Sequence, residues 1–165
     1  MDLYNEAIDF ARELSTDLNI PADFVCCNLY DLPLHLKGQF DIIFTSYGVV
    51  GWLPHLDKWA DVINKFLKPG GSFFIADFHP VVWMMDENFE HIKYFYHNEQ
   101  VIKEEMRGTY TDRKASIHYT EYSWNHSLSE ILNALIGKGL KIQSFDEYPY
   151  SYYNCFNNLV QGSDG

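Results

Sequence analysis

The chain is poor in positive charge. Its 165 residues carry 12 Lys and Arg against 23 Asp and Glu, a formal net charge of −11. Such a surface repels phosphate backbones and anionic lipid headgroups, so no nucleic acid and no membrane is expected among its partners. Long apolar runs are missing as well, and nothing approaches the ~18 consecutive apolar residues of a bilayer-spanning helix. The first residues do not read as a basic-then-apolar leader. Cysteine is scarce and odd in number, at Cys26, Cys27 and Cys155. Cys26 and Cys27 are adjacent and no CxxC spacing occurs, which argues against both a disulfide framework and a metal knuckle. Reduced, packed thiols in a cytoplasmic protein are expected. The seven His are scattered without an HxH or HExxH pattern, which speaks against zinc.

Aromatic residues are abundant instead, at 17%, with 12 Tyr and 12 Phe, enough for a thick core or a pocket for a flat ligand. Periodicity supplies the elements. Ala7, Ile8, Ala11, Leu14 and Leu18 form a helical stripe over 5–18, ended by Pro21. DFVCCN (23–28) has strand character. FDIIFTSY (40–47) is apolar on both faces, as a buried parallel strand reads. Leu56, Trp59, Ala60, Ile63, Phe66 and Leu67 predict a second helix, stopped by KPGG (68–71). SFFIADF (72–78) is another buried strand. This alternation predicts an α/β domain with a parallel sheet and right-handed crossovers. Residues 81–126 break the rhythm, with aromatic stretches at 91–97 and 115–124 around a charged turn, KEEMRG (103–108). They predict an antiparallel excursion over one end of the sheet. SLSE at 127–130 matches a capping box opening a helix, and LKIQSFDEYPY (140–150) alternates as a strand does. No linker divides the chain, so residues 1–165 read as one domain.

The blocks DxxxxAI from Asp2, NLYDLP from Asn28, FD plus a strand ending in SYG (46–48), and LKPGG (67–71) stand in the order found in class I S-adenosylmethionine-dependent methyltransferases. Residues 2–80 resemble the second half of that domain. The resemblance implies a partial Rossmann-like sheet with helices on both faces and S-adenosylmethionine as cofactor. It places Asp2 on the ribose hydroxyls, Asn28 and Leu29 at the adenine edge, and Ser46 beside the methionine part. The family more often has Asp where Asn28 stands, and an Asn carbonyl still accepts. Methyl transfer itself asks mainly for alignment and exclusion of water. A base is needed only where the acceptor loses a proton, and His79 and His126 are the candidates. The alternative for His126 is a local role beside the capping serine. Trp83, Trp124, Tyr119 and Tyr122 line an acceptor pocket or simply pack. The acceptor is expected to be a small molecule, nucleic acid being excluded by charge.

The family's GxGxG-like turn, which lets backbone approach the cofactor at a helix N-terminus, occurs nowhere in the chain. Met1 alone stands where the strand leading into Asp2 belongs. In the family's strand order, 3-2-1-4-5-7-6, the chain supplies strands 3, 4, 5 and 6. The first two strands and the last are expected to be missing, leaving edges unpaired and apolar faces open. The expectation is a single incomplete domain, truncated at both ends and inactive alone. A non-enzymatic module that completes its sheet with a partner chain is the alternative. A nicotinamide-dependent Rossmann enzyme also needs a Gly-rich turn and finds no support at Asn28 or Ser46. The 165-residue chain should therefore bind S-adenosylmethionine weakly or not at all by calorimetry, and micromolar or tighter binding would overturn the reading.

Overall fold

A computed structural model describes residues 1–86, 88–109, 114–151, 160 and 162. Cys155 and most of the terminal NNLVQGSDG lie outside the described residues. Cys26 and Cys27 are half-buried free thiols.

The centre of the fold is a parallel pair. After the one-turn helix α2 (Leu32–His35), strand β1 (Phe40–Thr45) and strand β2 (Leu67–Ile75) are joined by helix α3 (Leu56–Phe66). Their register runs Ile42↔Ser72, Ile43↔Phe73, Phe44↔Phe74 and Thr45↔Ile75, with an irregularity after Phe40↔Leu67. Alternation then decides which side chains are covered. Ile43 and Phe73 pack against the core cluster, where Phe73 meets the edge of Trp59 with ring centroids 5.8 Å apart. Ile42, Phe44 and Phe74 belong to the other face and remain 64%, 58% and 55% exposed. α3 buries Leu56, Trp59, Ala60, Ile63 and Phe66 as its stripe predicts, and Val62 in addition.

KPGG does more than stop this helix. α3 ends at Phe66 and the chain runs directly into β2 from Leu67. Lys68 reaches across to the Asp41 carboxylate at 2.9 Å. A Cβ on Gly71 would stand 2.9 Å from the Asp41 carbonyl oxygen, so only glycine lets the two strands approach here.

Two predicted strands do not form. Around 23–28 the pairing is one parallel bridge, Asp2↔Cys26. The Asp2 N–H donates to the Val25 carbonyl at 3.1 Å and the Cys27 N–H to the Asp2 carbonyl at 3.0 Å. Residues 140–150 have no ladder at all and are largely exposed. Both carry strand-like side chains, but a strand exists only where a neighbour supplies its hydrogen bonds along its length. Among the described residues, segment 23–28 finds only Asp2 and segment 140–150 finds none. Helix α1 (Asn5–Asp17) forms as predicted, yet of its stripe only Ile8 is buried, while Leu14 and Leu18 stay about half exposed.

The excursion is antiparallel, with a different pairing from the one the aromatic stretches suggested. KEEMRG is not a turn. It makes up most of strand β3 (Ile102–Arg107), which pairs with strand β4 (His118–Ser123) from Ile102↔Ser123 to Arg107↔His118. Its charges are matched locally: Glu104 accepts from Lys93 and from the Tyr94 hydroxyl, and Glu105 from the Thr120 hydroxyl. Helix α4 (Leu128–Gly137) opens with the predicted capping box, the Ser127 N–H donating to Glu130 Oε2 at 2.8 Å and the Glu130 N–H to Ser127 Oγ at 3.3 Å. Ala134 and Leu135 of α4 close the cluster around Trp59.

Trp59 is 1% exposed at the centre of that cluster. Trp59→Ala should lower unfolding free energy in urea by about 3–5 kcal/mol. A change below about 1 kcal/mol would mean that α3 does not organise the core.

Candidate cofactor site

Three loops meet at the carboxyl ends of the parallel segments, the edge at which open α/β sheets bind ligands. The first follows Cys26. Asn28 caps the short 3-10 turn Leu29–Asp31, its Oδ1 accepting from the Tyr30 N–H at 3.0 Å. The second follows β1 and carries Ser46, Tyr47 and Gly48 into the 3-10 turn Val50–Trp52. The third follows β2 through Asp77, Phe78 and His79.

Specific side chains tie these loops together. The Tyr30 hydroxyl accepts the His55 N–H at 3.0 Å, joining the first loop to the second. Burial pushes the Tyr30 phenol up, against a smaller opposing pull from that N–H, so the hydroxyl stays neutral at neutral pH. Asp77 joins the second loop to the third by accepting from Gly48, Val49 and Val50 at 2.9–3.1 Å. Neither Tyr30 nor Asp77 was among the residues singled out from the sequence. A carboxylate directly after a buried strand, in FFIADFHP, was the available signal for Asp77.

The expected cofactor residues fall in two places: Asp2, Asn28 and Leu29 around the Asp2–Cys26 bridge, and Ser46 directly after β1. Asp2 is placed beside Cys26 by the parallel bridge, and its Oδ1 accepts the Tyr4 N–H at 2.9 Å ahead of α1. Asn28 lies two residues past the bridge. Ser46 is exposed immediately after β1. Leu29 packs against the main core cluster beside Val49. The acceptors suit the hydroxyls of a ribose and the amino edge of an adenine: a carboxylate with a second oxygen to spare, and an amide carbonyl on a backbone turn.

The two histidines differ in what their rings can do. His126 Nε2 donates to the Leu53 carbonyl at 2.7 Å, so the basic lone pair resides on Nδ1. The Trp124 N–H donates to the Gly51 carbonyl at 2.9 Å, which seats the end of β4 on the second loop. His79 is engaged at both nitrogens, Nδ1 accepting the Val81 N–H at 3.2 Å and Nε2 facing Glu147 Oε1 at 2.9 Å.

A cleft of about 1410 Å³ runs along the edge of β2 away from β1, between that edge, α4 and residues 139–151. Tyr47, Asp77 and His79 border it, whereas Asp2, Asn28, Leu29 and Ser46 do not. The sheet is thus interrupted on both sides of the β1–β2 pair: toward Asp2, where no ladder connects, and toward 140–150, where the cleft lies.

Residues 1–75 match the sequence profile of a family described as methyltransferase domain. The fold is part of a Rossmann-like methyltransferase fold. It is similar to the crystal structure of a S-adenosylmethionine-dependent methyltransferase from Clostridium acetobutylicum, with a TM-score of 0.61 and 14% identity over 86% of this chain. The chain spans 63% of the length of that protein. Among curated proteins none matches by sequence. In a methyltransferase fold the two interruptions fall where the strand order implied by the resemblance places strands 1 and 7, and the direct pairing of strands 4 and 5 is the β1–β2 ladder.

Tyr30→Phe removes the acceptor that holds His55. Hydrogen exchange at the His55 amide should accelerate and stability fall by about 1 kcal/mol, while unchanged exchange would show that the two loops are not coupled there.

Proposed function

We propose that this chain is part of an S-adenosylmethionine-dependent enzyme that transfers a methyl group to a small molecule. The observation that supports this reading is the methyltransferase-like fold itself, in which Asp2, Asn28 and Leu29 lie around the parallel bridge at Cys26 and Ser46 directly follows the parallel strand β1. When bound, S-adenosylmethionine supplies a methyl group activated as a leaving-group sulfonium. Asp2 accepts hydrogen bonds from the ribose hydroxyls, the role an acid takes in related nucleotide sites. Asn28 and Leu29 hold the adenine edge, and Ser46 meets the methionine part. His126, with its lone pair on Nδ1, is the group placed to take a proton where the acceptor must lose one; His79 serves only if the Val81 N–H releases its Nδ1. The aromatic side chains of the excursion, Trp83, Trp124, Tyr119 and Tyr122, exclude water from the acceptor. The surface charge of −11 favours a small or cationic acceptor over a polyanion.

Residues 1–165 form a single incomplete domain in this reading, inactive until its sheet is completed. One observation keeps the alternative of a non-enzymatic module paired with another chain: the open apolar face at Ile42, Phe44 and Phe74. A Gly-rich turn encoded in frame before Asp2 distinguishes the fragment from the module.

Addition of millimolar S-adenosylhomocysteine to the ¹⁵N-labelled chain should shift the amides of Asp2, Asn28, Leu29 and Ser46 selectively. Shifts confined to residues away from these four would refute the assignment.

A further inference from the structure

Beyond the last rung of the β1–β2 ladder, where the Ala76 N–H donates to the Thr45 carbonyl at 3.1 Å, the two chains part. One turns through Ser46, Tyr47 and Gly48 into the 3-10 turn, and the other continues through Asp77. Three successive N–H groups, from Gly48, Val49 and Val50, point into this fork. Gly48 adopts a left-handed conformation with φ +71°, which turns its amide toward the next two. Converging amides of this kind form a nest that attracts an anion.

The protein supplies that anion itself. Asp77 Oδ1 accepts from Gly48 at 3.1 Å and from its neighbour Phe78 at 2.7 Å, and Oδ2 accepts from Val49 at 3.1 Å and Val50 at 2.9 Å. One carboxylate therefore sets the position of the backbone immediately after Ser46 and Tyr47. Without it, three half-buried donors would need water or a rearranged turn.

We propose that Asp77 is a positioning residue of the cofactor site, its carboxylate holding the turn after β1 so that Ser46 and Tyr47 stand at the fork between the strands. The purpose assigned to this turn rests on the methyl-transfer reading, but the latch itself does not. Burial pushes the Asp77 carboxyl up, and the four N–H bonds pull it back without fully compensating. The other titratable groups at this end of the cleft are Tyr47, His79, Asp146 and Glu147, and His79 is paired with Glu147.

The ¹⁵N-labelled 165-residue chain provides the test. Lowering the pH from about 7 to about 3 should shift the amides of Gly48, Val49 and Val50 through one common midpoint, as protonation removes the charge-assisted bonds. Ser46 and Tyr47, which do not touch the carboxylate, should follow the same midpoint. Asp77→Asn should abolish that shared titration and raise the S-adenosylhomocysteine concentration for half the Ser46 shift by about tenfold. The Trp59 indole signal, remote from the latch, should stay in place. A titration confined to 48–50, or absent, would overturn the proposal, as would equal ligand response in the variant. Should Asp77→Asn fail to fold, the wild-type titration alone decides. A wild-type chain that titrates as described, while the ligand shifts only amides away from Asp2, Asn28, Leu29 and Ser46, supports the latch and defeats the methyl-transfer reading instead.

Discussion

The parallel ladder between β1 and β2 is the interaction to which every other part of the molecule is referred. It fixes Ile43 and Phe73 on one face, and these meet Trp59 of α3 to start the core. It ends at Thr45 and Ala76, and the parting of the chains beyond those residues creates the fork that Asp77 closes. A parallel pair also carries a requirement that an antiparallel hairpin does not. Such sheets are normally covered on both faces and flanked on both edges, because each connection crosses over. Here one face is packed by helices, the other is open at Ile42, Phe44 and Phe74, and among the described residues neither outer edge continues in a ladder.

Where the chain itself satisfies that requirement, the sequence was readable. The α3 stripe, the β1 and β2 runs and the Ser127–Glu130 capping box each express a local pattern whose partner lies within the described residues. Residues 23–28 and 140–150 carry equally strand-like patterns and form no strands, since side-chain alternation records which faces a strand would present and not whether a neighbour is there to bond it. The exposed Leu14 and Leu18 on α1 make the same point for a helix. KEEMRG misled in the opposite direction. Its charges look like a turn until Lys93, Tyr94 and Thr120 are seen to meet them across the sheet, and those contacts join residues 10–15 positions apart.

The site was legible in type and only partly in arrangement. Asp2, Asn28, Leu29 and Ser46 could be proposed from motif order; the first three lie around the Asp2–Cys26 bridge and Ser46 directly after β1. The residues that knit the edge together, Tyr30 and Asp77, act through backbone N–H groups 25 to 29 positions away, a relation that no local pattern encodes. The histidines make a related case. As letters His79 and His126 are equivalent candidates, and it is the backbone around them that separates the two. The Val81 N–H occupies the Nδ1 lone pair of His79, whereas the Leu53 carbonyl fixes the proton of His126 on Nε2 and leaves Nδ1 basic.

The magnitudes connect the open sheet face to the silence expected of the chain alone. Fully burying a large apolar side chain contributes about 1.5–3 kcal/mol, so covering the exposed part of Ile42, Phe44 and Phe74 would add about 3–5 kcal/mol. That is a substantial fraction of the net stability of an ordinary domain, about 5–15 kcal/mol. Whatever covers this face therefore acts on the fold as strongly as the core around Trp59 does. The gap between Asp2 and β1 is a separate opening, at the sheet's edge, and a strand that filled it would bring the acid proposed for the ribose and the Ser46 turn onto one continuous sheet. Under the proposed reading, affinity for the cofactor should therefore rise as that edge is completed.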